Sequence, residues 1–144
     1  MLWLGVVAAG AALGAMHWQT LTHNIWDQVF STGNVLAMAL VYPVVKAIHE
    51  LGHACAVKAR GGEVHEIGLM FLLLVPIPYV DASAASAFAD KRWRMLVGGA
   101  GILVELFLAA VAMIAWTQLD PGLGRSLAYT VTVSYTHLTL PTKA

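Results

Sequence analysis

An HExxH pattern, formed by His49, Glu50 and His53, stands in an otherwise apolar stretch of the chain. On an α-helix the two histidines lie about 40° apart around the axis and one turn apart along it, so both imidazoles can reach one metal ion. Glu50 flanks that face, where its carboxylate can take a proton from metal-bound water and pass it to a leaving amine. The pattern predicts a Zn2+ site with His49 and His53 as ligands and Glu50 as the catalytic base.

The same residues also have a purely structural explanation. At the end of a membrane-spanning helix their polar atoms can reach the lipid–water interface, and Lys46 can pair with Glu50 one turn away. Lys46 lies near the metal face and could orient a carboxylate there, but the ion pair is the favoured interpretation. Inserting ionisable residues into hydrocarbon costs about 2.5–3.5 kcal/mol for each Lys, Arg or Asp at a helix centre. Because an idle cluster would carry this cost without any benefit, a functional site is favoured over the structural explanation.

The composition indicates the kind of protein in which this pattern stands. Of the 144 residues, 59% are hydrophobic and 11% are charged, and the mean hydropathy is +0.73. Soluble domains average roughly 45–50% apolar and 25% charged residues, so we expect a membrane protein. The formal net charge of zero gives no support to nucleic-acid binding. The single cysteine, Cys55, is interpreted as a small helix-packing residue.

Apolar runs divide the chain into candidate membrane segments. The run over 2–16 is a short span or anchor, with a cleaved signal as the alternative. The runs over 35–57 and 95–116 are long enough to cross a bilayer as helices. Pro43 should kink the first of these two or mark a local break in it. A further run starts near 127 and does not complete.

The apolar segment over 67–80 has a different character. It is too short for a comfortable helical span and contains Pro76 and Pro78, which favours a β-hairpin or a re-entrant segment packed against helices. The predicted fold is therefore mainly α: a polytopic transmembrane protein over residues 1–133, with this short membrane-associated segment between the HExxH helix and the next span.

Basic residues predict the orientation. They cluster between the runs over 35–57 and 95–116, and the positive-inside rule places such a loop in the cytoplasm. The HExxH pattern would then lie toward the cytoplasmic end of its helix, in a multi-pass membrane protein. The residues concerned are Lys58, Arg60, Lys91, Arg92 and Arg94.

Several other polar residues are weaker candidates. Asp81 could approach the metal, or it could cap a helix beginning in the following Ala-Ser-Ala-Ala-Ser segment, and the cap is favoured. Glu105 stands within the run over 95–116 and needs a partner, either in a packing hydrogen bond, which is favoured, or at the site. His65 and Glu66 follow a Gly-Gly turn and are expected to be solvated.

Three stretches together carry a family resemblance: HELGHACAVKARGG, EIGLMFLLLVPIPYVDAS and RWRMLVGGAGILVELFLAA. They resemble the site-2 protease family of intramembrane zinc metallopeptidases, and the PYVDAS and AGILVE forms are closest to a bacterial branch of peptide zinc metalloproteases. The resemblance implies that His49 and His53 bind zinc, that Glu50 is the base, and that residues 68–80 present an extended peptide or membrane-protein substrate by strand addition. Members of that branch often carry a membrane-fusion-type domain, which is a possible partner in secretion.

The family's third ligand is an aspartate in a later Asn-Pro…Asp-Gly motif, which does not occur here. The tail over 134–144 resembles translated vector sequence, so we expect a C-terminally truncated chain. A catalytic zinc takes three protein ligands and water, so this chain is expected to bind metal weakly and to be inactive.

Two other functions remain open. One is a non-proteolytic peptide secretion or transport component that retains the metalloprotease scaffold. The other is a structural membrane segment in which the His-Glu-His cluster is fortuitous.

Overall fold

The computed structural model describes residues 1–23, 30–73, 75–81 and 88–139. The protein is mainly helical, with one pair of strands among the described residues. In chain order the elements are α1 (Leu2–Met16), α2 (Trp18–Thr22), α3 (Thr32–Lys58), β1 (Ile67–Leu72), β2 (Val75–Val80), α4 (Lys91–Gln118) and α5 (Leu123–Thr139).

Two of these helices have the length and composition to cross a membrane. α3 has 27 residues and α4 has 28, which corresponds to about 40 Å each at roughly 1.5 Å per residue. The hydrocarbon core of a bilayer is about 30 Å thick. α1 is apolar but has 15 residues, so at about 22 Å it is shorter than that core.

α3 contains the HExxH pattern and continues through Pro43. The sequence predicted either a kink or a local break at this proline. Because the helix is continuous, the break does not occur. Pro43 removes one backbone donor, and an apolar helix can tolerate that loss when neighbouring groups compensate.

The end of α3 is defined by its own sequence. Gly61 takes a positive φ of 73°, a backbone conformation that glycine adopts without a side-chain clash. The Gly62 N–H then donates to the Val57 carbonyl and the Gly61 N–H to the Lys58 carbonyl. These two bonds form a Schellman motif, which satisfies carbonyls that the end of a helix would otherwise leave unpaired.

The start of α4 is capped by a side chain. Asp90 precedes the helix, and its Oδ1 accepts a hydrogen bond of 2.9 Å from the Arg92 N–H. This is the bond of an N-cap residue to the second helical position. The Arg60 guanidinium lies 3.6 Å from the centroid of the Trp93 ring, so a cation–π contact joins the chain after α3 to the first turn of α4.

β1 and β2 pair antiparallel, with Ile67 opposite Val80 and Leu72 opposite Val75. Pro76 and Pro78 share one parity along β2, so both can take positions whose N–H would point away from β1. The Asp81 N–H donates to the Glu66 carbonyl and extends the ladder by one bond. Leu73, in the turn, has a positive φ of 50°, which is unusual for a residue with a branched side chain.

The chain divides into two compact units, and the first comprises Met1–Tyr42 and Leu106–Ala144. Within it, Gly10 of α1 packs so closely on α4 that an added Cβ would lie 2.6 Å from the Ala110 Cα. The Tyr129 hydroxyl donates to the Leu21 carbonyl. The buried cluster of this unit consists of Met113, Trp116, Ala128, Tyr129 and Val133.

The second unit is Pro43–Glu105, which holds the C-terminal part of α3, the strand pair and the first part of α4. Cys55 is exposed here. Its interpretation as a packing residue is therefore wrong: within α3 the buried positions are Val45, Gly52, Ala54 and Val57.

Several helices begin before their predicted runs: α3 begins at Thr32 against a predicted 35, and α4 at Lys91 against a predicted 95. The last helix begins at Leu123, four residues before the predicted start of that run near 127, and it continues through the tail to Thr139. Asp81 was expected to cap a helix in the segment that follows it. That segment, over 82–87, lies outside the described residues.

Candidate metal centre

The two histidines of the HExxH pattern point toward each other. The Nε2 atoms of His49 and His53 are 3.0 Å apart, and the two ring centroids are separated by 4.8 Å. This is the outcome expected for side chains one turn apart on the same face of a helix.

The other nitrogen of each ring is held by α4. The His53 Nδ1–H donates to the Val97 carbonyl oxygen at 2.7 Å, and the His49 Nδ1 lies 2.8 Å from Glu105 Oε1. A carbonyl and a carboxylate accept hydrogen bonds, so Nδ1 is the nitrogen that donates in both rings. Nε2 is then the nitrogen that can present a lone pair to a metal ion, as a ligand requires.

Two lone pairs facing each other at 3.0 Å need a positive centre, either a proton or a metal ion. Zinc binds histidine nitrogen at about 2.0–2.1 Å, which places two ligands of a tetrahedral site about 3.3 Å apart. The observed 3.0 Å between the Nε2 atoms is close to that separation. The residues present therefore fit zinc as two of its ligands.

Small residues bring α3 and α4 close enough for these contacts. A Cβ on Gly52 would lie 3.0 Å from Val104 Cγ2 and 3.2 Å from the Ala100 carbonyl oxygen. Gly52 thus allows close packing of α3 against α4. A Cβ on Gly101 would overlap the imidazole of His49.

Glu50 makes the ion pair that the spacing predicts. Its Oε1 lies 2.8 Å from Lys46 Nζ, and the side chains of Lys46 and Glu50 are 30% and 15% exposed. The carboxylate is thus oriented by a cation one turn before it on the same helix. Its role as a catalytic base and the proximity of Lys46 to a metal remain predictions.

A complete ligand set is not assembled within the described part of the chain. No group of three or more His, Cys, Asp or Glu side chains that could hold a metal ion occurs there. Asp81 continues the ladder of the strand pair through its backbone, and its predicted place near the metal remains a prediction. His65 and Glu66 are exposed, as expected for solvated residues, and the Tyr79 hydroxyl donates to the Glu66 carboxylate.

Glu105 has the partner that its position within an apolar helix requires. Its carboxylate, in a residue 8% exposed, makes a hydrogen bond between two helices to His49 of the HExxH pattern, so the packing role and the role at the site both remain open. The signal that could have identified it is its position: Val97, Gly101 and Glu105 recur every four residues and so lie along one face of α4. That periodicity shows that the three residues share a face, but not which helix the face meets.

Comparisons of the chain with protein-family models, with curated proteins and with solved structures found no match.

Proposed function

We propose that this protein is a zinc-dependent endopeptidase of the site-2 protease kind. Such an enzyme hydrolyses peptide bonds within or beside the membrane. The observation that carries the proposal is the convergence of two histidine Nε2 atoms at 3.0 Å, with each Nδ1 engaged by a group on α4. Histidines that bind a metal almost always donate their other ring N–H to a carboxylate, a backbone carbonyl or water, and the partners of His49 and His53 are of these kinds.

The roles of the residues follow from this arrangement. His49 and His53 would hold zinc through Nε2. A bound zinc ion supplies a water molecule with a pKa lowered to about 7 and polarises the scissile carbonyl group. Glu50, oriented by Lys46, would accept a proton on its carboxylate and donate it to the departing amine.

A membrane location agrees with the surface of the two long helices. α3 exposes the large apolar side chains Val35, Leu36, Leu40, Val44 and Leu51, and α4 exposes several others. Large exposed apolar side chains along a helix of this length are typical of a helix in contact with lipid. We propose a polytopic protein of the bacterial inner membrane, in contact with lipid, with the HExxH end of α3 toward the cytoplasm.

The strand pair is the proposed site of substrate presentation. It has two strands in the described structure, so each strand has an edge at which an extended peptide could pair. Ile67, Leu69 and Phe71 alternate along β1 and are exposed, which suits a membrane-associated hairpin that binds an apolar peptide.

The metal is tested on the 144-residue chain, purified in detergent, by measuring zinc uptake. Two histidines should bind zinc weakly, and His53→Ala should abolish the uptake because it removes one of them. His65→Ala, at an exposed histidine, is the matched control and should leave uptake unchanged. A chain that takes up no zinc, or equal uptake in His53→Ala, would refute the proposal and favour a structural membrane segment.

Cleavage is tested on a form of the protein that supplies a third ligand, because two ligands do not make a catalytic zinc site. We expect Glu50→Gln to retain zinc and lose cleavage, whereas His53→Ala loses both. Cleavage retained by Glu50→Gln would remove the general-base assignment. A zinc-loaded wild-type protein that cleaves no membrane peptide would favour the secretion or transport component, with a membrane-fusion-type partner.

A further inference from the structure

Val97, Gly101 and Glu105 define one face of α4, here called the α4 cradle. We propose that the α4 cradle sets the tautomer and the position of both His49 and His53. Glu105 and Gly101 are its positioning residues. The zinc part of this inference rests on the proposed function, whereas the tautomer part does not. The three residues are four apart in sequence, so they lie one turn from each other along the helix. Each contributes by a different means.

Glu105 fixes His49 from the side of the ring opposite the metal-binding nitrogen. Its Oε1 is 2.8 Å from Nδ1, whereas the Nε2 of His49 faces His53. Because Nδ1 and Nε2 point in opposite directions from the ring, Glu105 in this position cannot bind the same ion as His49. A carboxylate at Nδ1 instead holds the proton on that nitrogen. Its negative charge makes Nε2 more basic and therefore a stronger ligand for a metal ion.

Gly101 provides the space that the His49 ring occupies. A Cβ at this position would overlap the imidazole, and the ring cannot retreat without losing its contact with Glu105. Gly98 and Gly99 belong to the same cluster of small residues in α4, yet no described atom lies within 4 Å of a Cβ built on either. The requirement for glycine is therefore specific to position 101.

The two histidines depend on the α4 cradle unequally. His53 is held by a backbone carbonyl, which remains whatever side chain occupies position 97. His49 is held by a side chain, so its tautomer depends on the identity of residue 105. A glutamine at that position can either accept or donate a hydrogen bond, so it no longer specifies which nitrogen of His49 carries the proton.

The test compares Glu105→Gln, Glu105→Leu and Gly101→Ala with the controls Gly98→Ala and Gly99→Ala in the detergent-purified 144-residue chain. The first measurement is the 15N NMR spectrum of the metal-free histidines, assigned with His49→Ala and His53→Ala. We expect wild-type His49 to be protonated at Nδ1 and both Glu105 variants to lose that preference. His53 should keep its Nδ1 proton in all of them, because its acceptor is a backbone carbonyl. The controls should match the wild type.

The second measurement is zinc affinity by chelator competition. Loss of a group that orients a metal ligand typically weakens binding by about 10–100-fold. We expect this loss in Glu105→Leu and Gly101→Ala, a smaller loss in Glu105→Gln, and no change in the two controls. Circular dichroism shows which variants retain the helical fold, and Glu105→Gln, which is nearly isosteric, supplies the test if Glu105→Leu unfolds.

The outcomes separate the two proposals. An unchanged His49 tautomer in the folded Glu105 variants, or equal loss of zinc in Gly98→Ala and Gly101→Ala, would overturn the positioning role. Failure of the wild type to bind zinc, with the His49 tautomer still dependent on Glu105, would overturn the proposed function and leave the positioning role intact.

Discussion

At the scale of single residues, the side chains of the HExxH pattern are held by two kinds of contact, one within their own helix and one with a residue far away in the sequence. Lys46 and Glu50 form an ion pair within one helix, so their spacing alone was enough to predict it. The contact between His49 and Glu105 joins residues 56 positions apart, and no local periodicity specifies such a pair. Sequence reasoning therefore predicted the groups proposed to do chemistry and named Glu105 as a residue that needs a partner, but it could not say that the partner is His49.

The ion pair leads to a prediction about Lys46. Replacing it with glutamine should leave zinc uptake unchanged, because Lys46 contacts Glu50 and no described bond joins it to a histidine. The pair is partly exposed and spans one helical turn, so its loss should lower stability by less than about 1 kcal/mol. Zinc uptake and thermal unfolding in detergent measure these effects. A loss of zinc as large as that of His53→Ala would show that Lys46 acts on the ligands themselves.

At the scale of elements, the long apolar runs were the most predictable part of the chain. The runs over 35–57 and 95–116 were expected to be helices of membrane-spanning length, and α3 and α4 have that length and composition. Their ends could not be predicted as well, because they depend on local bonds such as the Asp90 cap and the Schellman motif around Gly61. For residues 67–80 the sequence left two conformations open, since prolines in an apolar stretch are compatible with both.

The packing of α3 against α4 predicts that Gly52 is sensitive to size. In Gly52→Val the added atoms would meet Val104 and the Ala100 carbonyl, and overpacking of this kind typically costs about 1–3 kcal/mol. Gly33→Val in the same helix is the control, because a Cβ there meets no described atom within 4 Å. Thermal unfolding in detergent should be lowered by Gly52→Val alone. Equal effects of the two variants would contradict the close contact.

The turn between β1 and β2 provides a prediction in which a substitution raises stability. Leu73 is almost fully exposed and has a φ of 50°, so its side chain gains little from packing and strains the backbone. Leu73→Asn should stabilise the hairpin by up to about 1 kcal/mol, since asparagine tolerates this conformation better. Leu73→Ala, which keeps the strain, should have no such effect. Hydrogen exchange of the strand amides measures the difference, and equal protection in both variants would contradict the strain.

At the scale of the whole molecule, the proposed orientation is testable from its charge distribution. We expect the loop that contains Glu63 to be cytoplasmic and the turn that contains Leu119 to lie outside, because the basic residues flank the former. In a Cys55→Ser background, a membrane-impermeant maleimide should label Leu119→Cys in intact cells and Glu63→Cys only after lysis. Both positions are exposed. The reverse labelling pattern would contradict the orientation.

The hydrogen bond from His53 to the Val97 carbonyl has a consequence for sequence divergence. A backbone acceptor is present at every position of a chain, so substitution at position 97 can proceed without loss of this bond. The carboxylate of Glu105 is a side-chain acceptor and disappears with its residue. Among relatives that retain the site, position 105 should therefore be restricted to residues that can accept a hydrogen bond, whereas position 97 should vary as freely as helix packing allows.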